Sequence, residues 1–325
     1  MTTLLQATDV VVEYKRRGEA VYAVVGASIS VEGGQIVGLV GESGCGKSSL
    51  ARAIVGLERP KSGLIQLNGQ PLAPLTRAAR PRASRKVQMI FQNPYGSLNP
   101  RLSVRDQLED AIDVHGRTAR NDAADSALSL VGLSKRVMNR YPHELSGGQR
   151  QRIAIARALA SRPDFIVLDE PLASLDTSAQ AQIANLLQKL ALEQHVGMLL
   201  ISHDLAIVRQ IASTVAVMYL GQIVEVGPSS LIWDAPLHPY TEALISSIPV
   251  VEPPGVLPYA VLGEVPDPSN PPGGCRFNPR CPYAMARCKT DVPQLVLVDG
   301  VRKAACWLQQ PSKPVDLASV HRMRA

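Results

Sequence analysis

The chain has 325 residues, 46% hydrophobic and 19% charged, which is enough apolar matter for one large domain plus a smaller one. Aromatic residues make up only 4%, which argues against the stacking platforms that hold single-stranded nucleic acid. The net charge of +6, from 34 basic and 28 acidic residues, is that of an ordinary soluble protein; it fits a phosphate ligand or an anionic surface without requiring either.

In chain order, Met1–Asp9 lacks the basic start and apolar core of a signal peptide, and no run of about 18 apolar residues follows. A cytosolic chain is expected, with any membrane association made through partners. Ile36–Val40 is a continuous apolar run, the pattern of a strand buried on both faces of a parallel sheet. Directly after it, Gly41-Glu-Ser-Gly-Cys-Gly-Lys-Ser48 matches the G-x-x-x-x-G-K-[ST] phosphate loop. Glycines let such a loop curl so that successive N–H groups face phosphate oxygens, and the helix that follows adds its positive N-terminal end. The expected nucleotide contacts are Gly41, Ser43, Gly44, Cys45, Gly46, Lys47, Ser48 and Ser49. Lys47 would reach the β and γ phosphates, Ser48 would ligate Mg²⁺, and Cys45 would contribute its backbone N–H rather than its thiol. The basic stretch Arg77–Lys86 (Arg77, Arg80, Arg82, Arg85, Lys86) reads as a solvated loop, with membrane or permease contact as the alternative.

Residues 103–140 look like a helical insert, with Val104–Ile112 and Ala123–Val131 as its helices. Leu145-Ser-Gly-Gly-Gln149 precedes the helical pattern Arg152–Leu159, and locally it is an ordinary Ser-capped helix start. Phe165–Leu168 is a second buried strand and ends in Asp169 and Glu170. Beside a phosphate loop, the first carboxylate can hold Mg²⁺ and the second can take a proton from the attacking water. Gln180–Ala191 is helical, Met198–Ile201 is a third buried strand followed by Ser202 and His203, and Val215–Tyr219 with Gln222–Val226 flanks Leu220-Gly221 as a hairpin.

Composition changes after Val250: nine prolines within residues 251–282 exclude long helices and central strands. This linker leads into a small segment ending near Leu308, with a loose tail over 309–325. Cys275, Cys281, Cys288 and Cys306 are spaced C-x5-C-x6-C-x17-C, without the tight pairs usual for zinc. In a reducing cytosol such a cluster suits a metal better than disulfides. A 4Fe–4S cluster suits this looser spacing best; zinc or unligated thiols are the alternatives.

The phosphate loop, Gln92, Ser146–Gln149, the paired carboxylates and His203 follow one another in the order and spacing of the ATP-binding-cassette ATPases. Residues 1–228 resemble that family. Phe91-Gln-Asn-Pro-Tyr-Gly-Ser-Leu-Asn-Pro-Arg101, Pro236-Leu-His-Pro-Tyr-Thr-Glu-Ala-Leu244 and the four cysteines resemble its oligopeptide/dipeptide importer subfamily, extending the likeness to about residue 308. The resemblance implies an α/β phosphate-loop NTPase: a RecA-like core, an antiparallel β subdomain and a helical subdomain over about 100–160, all within 1–250, followed by a four-cysteine region over 251–308.

It also implies roles. Asp169, Ser48 and Gln92 would hold Mg²⁺, Glu170 would be the base, and His203 would orient the γ-phosphate and the water. Tyr14, with Tyr22 as competitor, would stack on adenine. Two cassettes pair head to tail in this family, so Ser146, Gly147, Gly148, Gln149 and Asp176 would touch ATP held by a partner. At residues 172–176 the chain reads Leu-Ala-Ser-Leu-Asp where peptide importers more often read Thr-Ser-Ala-Leu-Asp, which bears on fine contacts at that interface. Implied partners are a second, homologous ATPase, two permeases and an extracytoplasmic solute-binding protein, at the cytoplasmic face of the membrane, with no nucleic acid. A soluble cassette acting on nucleic acid or ribosomes would more often carry tandem cassettes or a long coiled coil, and a silent regulatory subunit would not need Glu170 and His203.

Overall fold

The computed structural model describes residues 3–16, 19–75, 85–92, 94–112, 117–173, 175–247 and 263–310. Arg77, Arg80 and Arg82 of the basic stretch, Ser174, the first part of the proline-rich linker and residues 311–325 lie outside them.

The strands are β1 (Thr3–Arg16), β2 (Glu19–Glu32), β3 (Ile36–Val40), β4 (Ser62–Leu67), β5 (Gln70–Pro71), β6 (Val87–Ile90), β7 (Phe165–Asp169), β8 (Gly197–Ile201), β9 (Thr214–Tyr219), β10 (Gln222–Pro228), β11 (Val296–Leu297) and β12 (Lys303–Ala304). The helices are α1 (Lys47–Ile54), α2 (Pro94–Ser97), α3 (Val104–Ala111), α4 (Arg117–Leu130), α5 (Gly147–Ala160), α6 (Thr177–Gln194), α7 (Leu205–Ile211), α8 (Ser229–Asp234), α9 (Pro239–Ser246) and α10 (Ala286–Thr290).

Two sheets result. The larger runs β11-β12-β10-β9-β3-β8-β7-β6, with β9, β3, β8, β7 and β6 parallel; the smaller is antiparallel, in the order β2-β1-β4-β5. The apolar runs read as strands are fully buried in β3, β7 and β8. Their side chains alternate between two cores, as the two-residue period of a strand requires. Ile36, Val40, Ile166, Leu168, Met198 and Leu200 face the helical layer. Val37, Leu39, Phe165, Val167, Leu199 and Ile201 face α1 and the antiparallel sheet. With both faces covered, the loops at the strand ends are where ligands can reach the sheet.

Both insert helices form; α3 matches the expected Val104–Ile112 within one residue, whereas α4 begins at Arg117, six residues before the expected Ala123. Ser103 opens α3 with a capping box: its Oγ accepts from Asp106 N–H while the Asp106 carboxylate accepts from Ser103 N–H. At the hairpin, Leu220 and Gly221 both have positive φ (40° and 82°), the requirement of a two-residue turn whose twist matches its strands. The sheet does not end there. Strand β12 pairs with β10, β11 with β12, and Ala305 N–H donates to Val224 O at 2.8 Å. Phe277 lies in the main core, with Cys275 and Cys281 packed against it.

Candidate nucleotide site

A cavity of about 480 Å³ opens at the C-terminal ends of β3, β7 and β8. Ser43, Gly44, Gly46, Lys47, Ser48 and Ser49 line it together with Gln92, Glu170 and His203. Four separate stretches of sequence are thus gathered around one space. Ala23 of β2 completes the lining and carries no sequence signal of its own.

The loop requires its glycines. Gly46 stands at φ 106°, and a Cβ there would lie 2.2 Å from Ala23 O; at Gly41 a Cβ would lie 2.1 Å from Met218 O. Neither place admits a side chain. The Lys47 ammonium donates to the carbonyl oxygens of Gly41 and Glu42, both at 2.8 Å, and lies 3.6 Å from Cys45 Sγ. Cys45 is buried, and desolvation raises its thiol pKa despite the nearby lysine. Its N–H donates to Glu42 O at 3.3 Å, so this amide is engaged within the loop.

At the end of β7 the two carboxylates diverge. Asp169 is buried and accepts from Ser48 Oγ at 3.2 Å; burial raises its pKa, with the Ser48 hydrogen bond opposing. This hydroxyl and carboxylate are hard oxygen donors of the kind that Mg²⁺ takes, so the pair fits that ion. Glu170 adopts φ 49°, unusual for a residue with a side chain, and is held there by its N–H donating to Ile201 O at 2.9 Å. Its Oε2 accepts from Gln92 Nε2 at 2.7 Å, and its Oε1 lies 3.1 Å from His203 Nδ1. Gln92 therefore touches Glu170 here, rather than the Ser48–Asp169 pair.

Tyr14 does not line the cavity. Its hydroxyl lies 3.4 Å from Ser49 Oγ, which ties β1 to the first turn of α1. Tyr22 is exposed, takes a 2.7 Å hydrogen bond from Lys61 Nζ, and has that ammonium 4.7 Å from its ring centre.

Ser146, Gly147, Gly148, Gln149 and Asp176 are also outside the lining. Ser146 caps α5 in a reciprocal box with Gln149, at 3.2 and 3.1 Å. Asp176 caps α6 by accepting from Ala179 N–H at 2.9 Å. Gly147 faces Leu175, just before α6, and Gly148 faces Ala179 within it, at 3.7 and 3.8 Å from where their Cβ atoms would stand.

The four C-terminal cysteines line one small cavity of about 10 Å³ with His238, Phe277 and Trp307. All are free thiols; burial, then the neighbouring cysteines, pushes Cys281 and Cys306 up to about 12. They converge, yet among the described residues no group of three or more His, Cys, Asp or Glu side chains is arranged to hold a metal ion. The space is that of about one water, so a four-iron cube does not fit this arrangement without outward movement of the thiols. His238 and Tyr240, from the Pro236–Leu244 stretch, are both fully buried.

Lys86, at the end of the basic stretch, pairs with Asp164 at 3.1 Å and donates to Arg162 O, so this residue is used within the fold. Among the described residues no helix is long and apolar enough to cross a membrane.

Known proteins resemble this chain. Residues 24–173 match the family described as ABC transporter, and residues 224–288 match the oligopeptide/dipeptide transporter C-terminal region. The chain is 44% identical over 316 residues to the di/tripeptide transport ATP-binding protein DppF of Pseudomonas aeruginosa, covering 94% of this chain and 98% of that one. It is 43% identical over 302 residues to the oligopeptide transport ATP-binding protein AppF of Bacillus subtilis, covering 91% and 92%. Among solved structures, the ATP-binding cassette MJ0796, a dimer in a post-hydrolysis state bound to ADP and Pi, superposes with a TM-score of 0.63 at 28% identity, covering 70% of this chain and 99% of that one. The cassette cbiO1 of Clostridium perfringens, part of the complex cbiONQ, gives 0.62 at 25% identity, covering 71% and 91%. The chain belongs to the ABC transporter family and is one of its ATP-hydrolysing cassettes.

Proposed function

We propose that this chain powers the import of di- or oligopeptides from the cytoplasmic face of the membrane, in complex with two permeases, a second homologous ATPase and an extracytoplasmic solute-binding protein. The gathering of Lys47, Ser48, Gln92, Glu170 and His203 around one cavity carries the catalytic half of this reading. The peptide-transport relatives and the match to the oligopeptide/dipeptide C-terminal region support the substrate class.

In this reading Lys47 exchanges its bonds to the loop carbonyls for the β and γ phosphate oxygens of ATP. Ser48 and Asp169 hold Mg²⁺, whose role is to neutralise charge developing on the transferred phosphoryl group. Glu170 is the general base: each of its oxygens has one partner and keeps a second lone pair for the attacking water. Gln92 and His203 orient that carboxylate, and His203 also steadies the γ-phosphate. Tyr14 remains the choice for the adenine stack, because its hydroxyl reaches Ser49 of the cavity lining, whereas Tyr22 is engaged by Lys61.

Ser146, Gly147, Gly148 and Gln149 form the tip of a capped helix outside their own chain's cavity, an arrangement suited to a phosphate presented by another cassette. Asp176, next to them, belongs to the same interface. A 4Fe–4S cluster at Cys275, Cys281, Cys288 and Cys306 has the convergence of the thiols in its favour and would require them to move outward; zinc is the competing occupant.

Purification of the complex from membranes tests the assignment. Recovery with two permeases and a second ATPase supports it, and an exclusively soluble complex refutes it. Glu170→Gln in the complex should bind ATP and trap a closed pair of cassettes without turnover.

A further inference from the structure

The second residue of the phosphate loop is gripped from the far end of the chain. Glu42 receives both terminal nitrogens of Arg280, Nη1 to Oε2 at 2.7 Å and Nη2 to Oε1 at 2.9 Å, a two-pronged pair between residues 238 positions apart. The Arg280 side chain is buried, and its pKa is raised chiefly by the carboxylate it meets. Glu42 N–H donates to Tyr240 Oη at 2.8 Å, so the C-terminal region holds both the backbone and the side chain of this residue. The base of the grip is closely packed. Tyr219, Tyr240 and Phe277 pack with ring centres 4.6 to 5.5 Å apart, and Arg280 Nη1 reaches Tyr219 Oη at 3.4 Å. On the other side, Glu42 O and Gly41 O are the two carbonyls that hold Lys47.

We propose that Arg280 and Tyr240 are positioning residues for ATP binding, fixing the phosphate loop from the C-terminal region by clamping Glu42. A planar guanidinium meeting a carboxylate at two points sets direction as well as distance. Peptide-bond geometry then passes that constraint to Gly41 and Ser43 on either side. The clamp acts before the nucleotide arrives and persists through hydrolysis, so it contributes to binding of substrate and transition state alike. Its loss raises KM and leaves kcat nearly unchanged. This rests on the phosphate-loop reading above.

The test compares Arg280→Gln, Glu42→Gln and the double variant, with Mg–ATP affinity measured on the full-length chain and KM and kcat in the assembled transporter. Each single change should weaken Mg–ATP binding about five- to tenfold with kcat within about twofold, and the double change should be no worse than either. Arg280→Lys, which keeps the charge and loses the fork, should fall between wild type and Arg280→Gln. Tyr240→Phe keeps the aromatic packing and removes only the hydroxyl that takes the Glu42 N–H; it should move affinity the same way even if Arg280→Gln fails to fold. Wild-type affinity in Arg280→Gln and Tyr240→Phe, or strictly additive effects in the double variant, would overturn the proposal. Lys47→Ala is the control for the underlying reading: if it binds Mg–ATP normally, the phosphate loop itself has been misassigned.

Discussion

Gln92 Nε2 donates to Glu170 Oε2 at 2.7 Å, joining the loop after β6 to the end of β7 across the mouth of the nucleotide cavity. With His203 on the other oxygen, the carboxylate is held from both sides. A general base accounts for roughly 10²- to 10⁴-fold of rate. Glu170→Gln should therefore lower kcat by at least about 100-fold while ATP still binds. With Glu170 as the proposed base, Gln92→Ala leaves that carboxylate and removes one of its two contacts, so a smaller loss, on the order of tenfold in kcat, is expected. Single-turnover measurements with Mg–ATP separate the two, and equal losses would mean that Gln92 does more than orient.

Gly46→Ala tests the loop backbone. A Cβ at φ 106° would meet Ala23 O at 2.2 Å, and the obstacle is backbone, which cannot swing aside as a side chain can. Both β2 and the start of α1 would have to move. The variant should lose measurable Mg–ATP binding while its circular dichroism stays close to wild type. Gly44→Ala, where a Cβ meets nothing within 4 Å, should suffer only from its φ of 77° and keep some affinity.

The parallel strands were legible in the sequence because they are buried on both faces. A run such as Ile36–Val40 can then be apolar throughout, and the chemistry begins at its last residue. Strand β2 alternates exposed and buried positions, and β1 shifts register against it at several points, so no such continuous run marks them. Ala23 was missed for that reason: it lines the cavity through where β2 passes, not through its chemistry. Tyr240 and Arg280 were also invisible, since nothing in local spacing tells that residue 280 will meet residue 42. Spacing of the cysteines did bring four thiols to one cavity, but it says nothing about how their sulfurs are aimed.

Capping should be measurable apart from catalysis. Ser146 closes a reciprocal box at the start of α5, and loss of a Ser or Asp cap costs about 1 kcal/mol. Ser146→Ala should lower the stability of the isolated chain by about that much. If Ser146 also serves ATP on a partner cassette, the same variant should lower turnover of the complex far more than its stability loss explains. Asp176→Ala at the start of α6 should show the same stability cost. Chemical denaturation of the chain alone, set beside ATPase rates of the complex, distinguishes the contributions.

The cysteine cavity gives an analytical prediction. Protein prepared without oxygen should contain about four irons and four sulfides per chain if a 4Fe–4S cluster is present. Replacing Cys281 by Ser should then release the iron. Stoichiometric zinc with no iron would transfer the site to the alternative occupant, and neither metal would leave four unligated thiols.

Buried Glu225 links stability to pH. Its oxygens accept from Leu237 N–H at 2.8 Å and His238 N–H at 2.9 Å, and it is fully buried. Desolvation raises its pKa above 4.5, against the lowering effect of those N–H groups, the Thr241 hydroxyl and Arg302. The folded chain thus holds this proton more tightly than the unfolded chain does. Its contribution is fully present below the unfolded carboxylate pKa and is lost as pH rises through the higher, folded one. Glu225→Gln cannot ionise; it retains one oxygen acceptor and turns an amide toward the other N–H, a penalty that does not vary with pH. The difference in melting temperature, variant minus wild type, should therefore increase as pH is raised above the ordinary carboxylate pKa and level off once the folded pKa is passed. A difference that stays flat as pH rises would mean that Glu225 ionises in the fold as readily as in the unfolded chain.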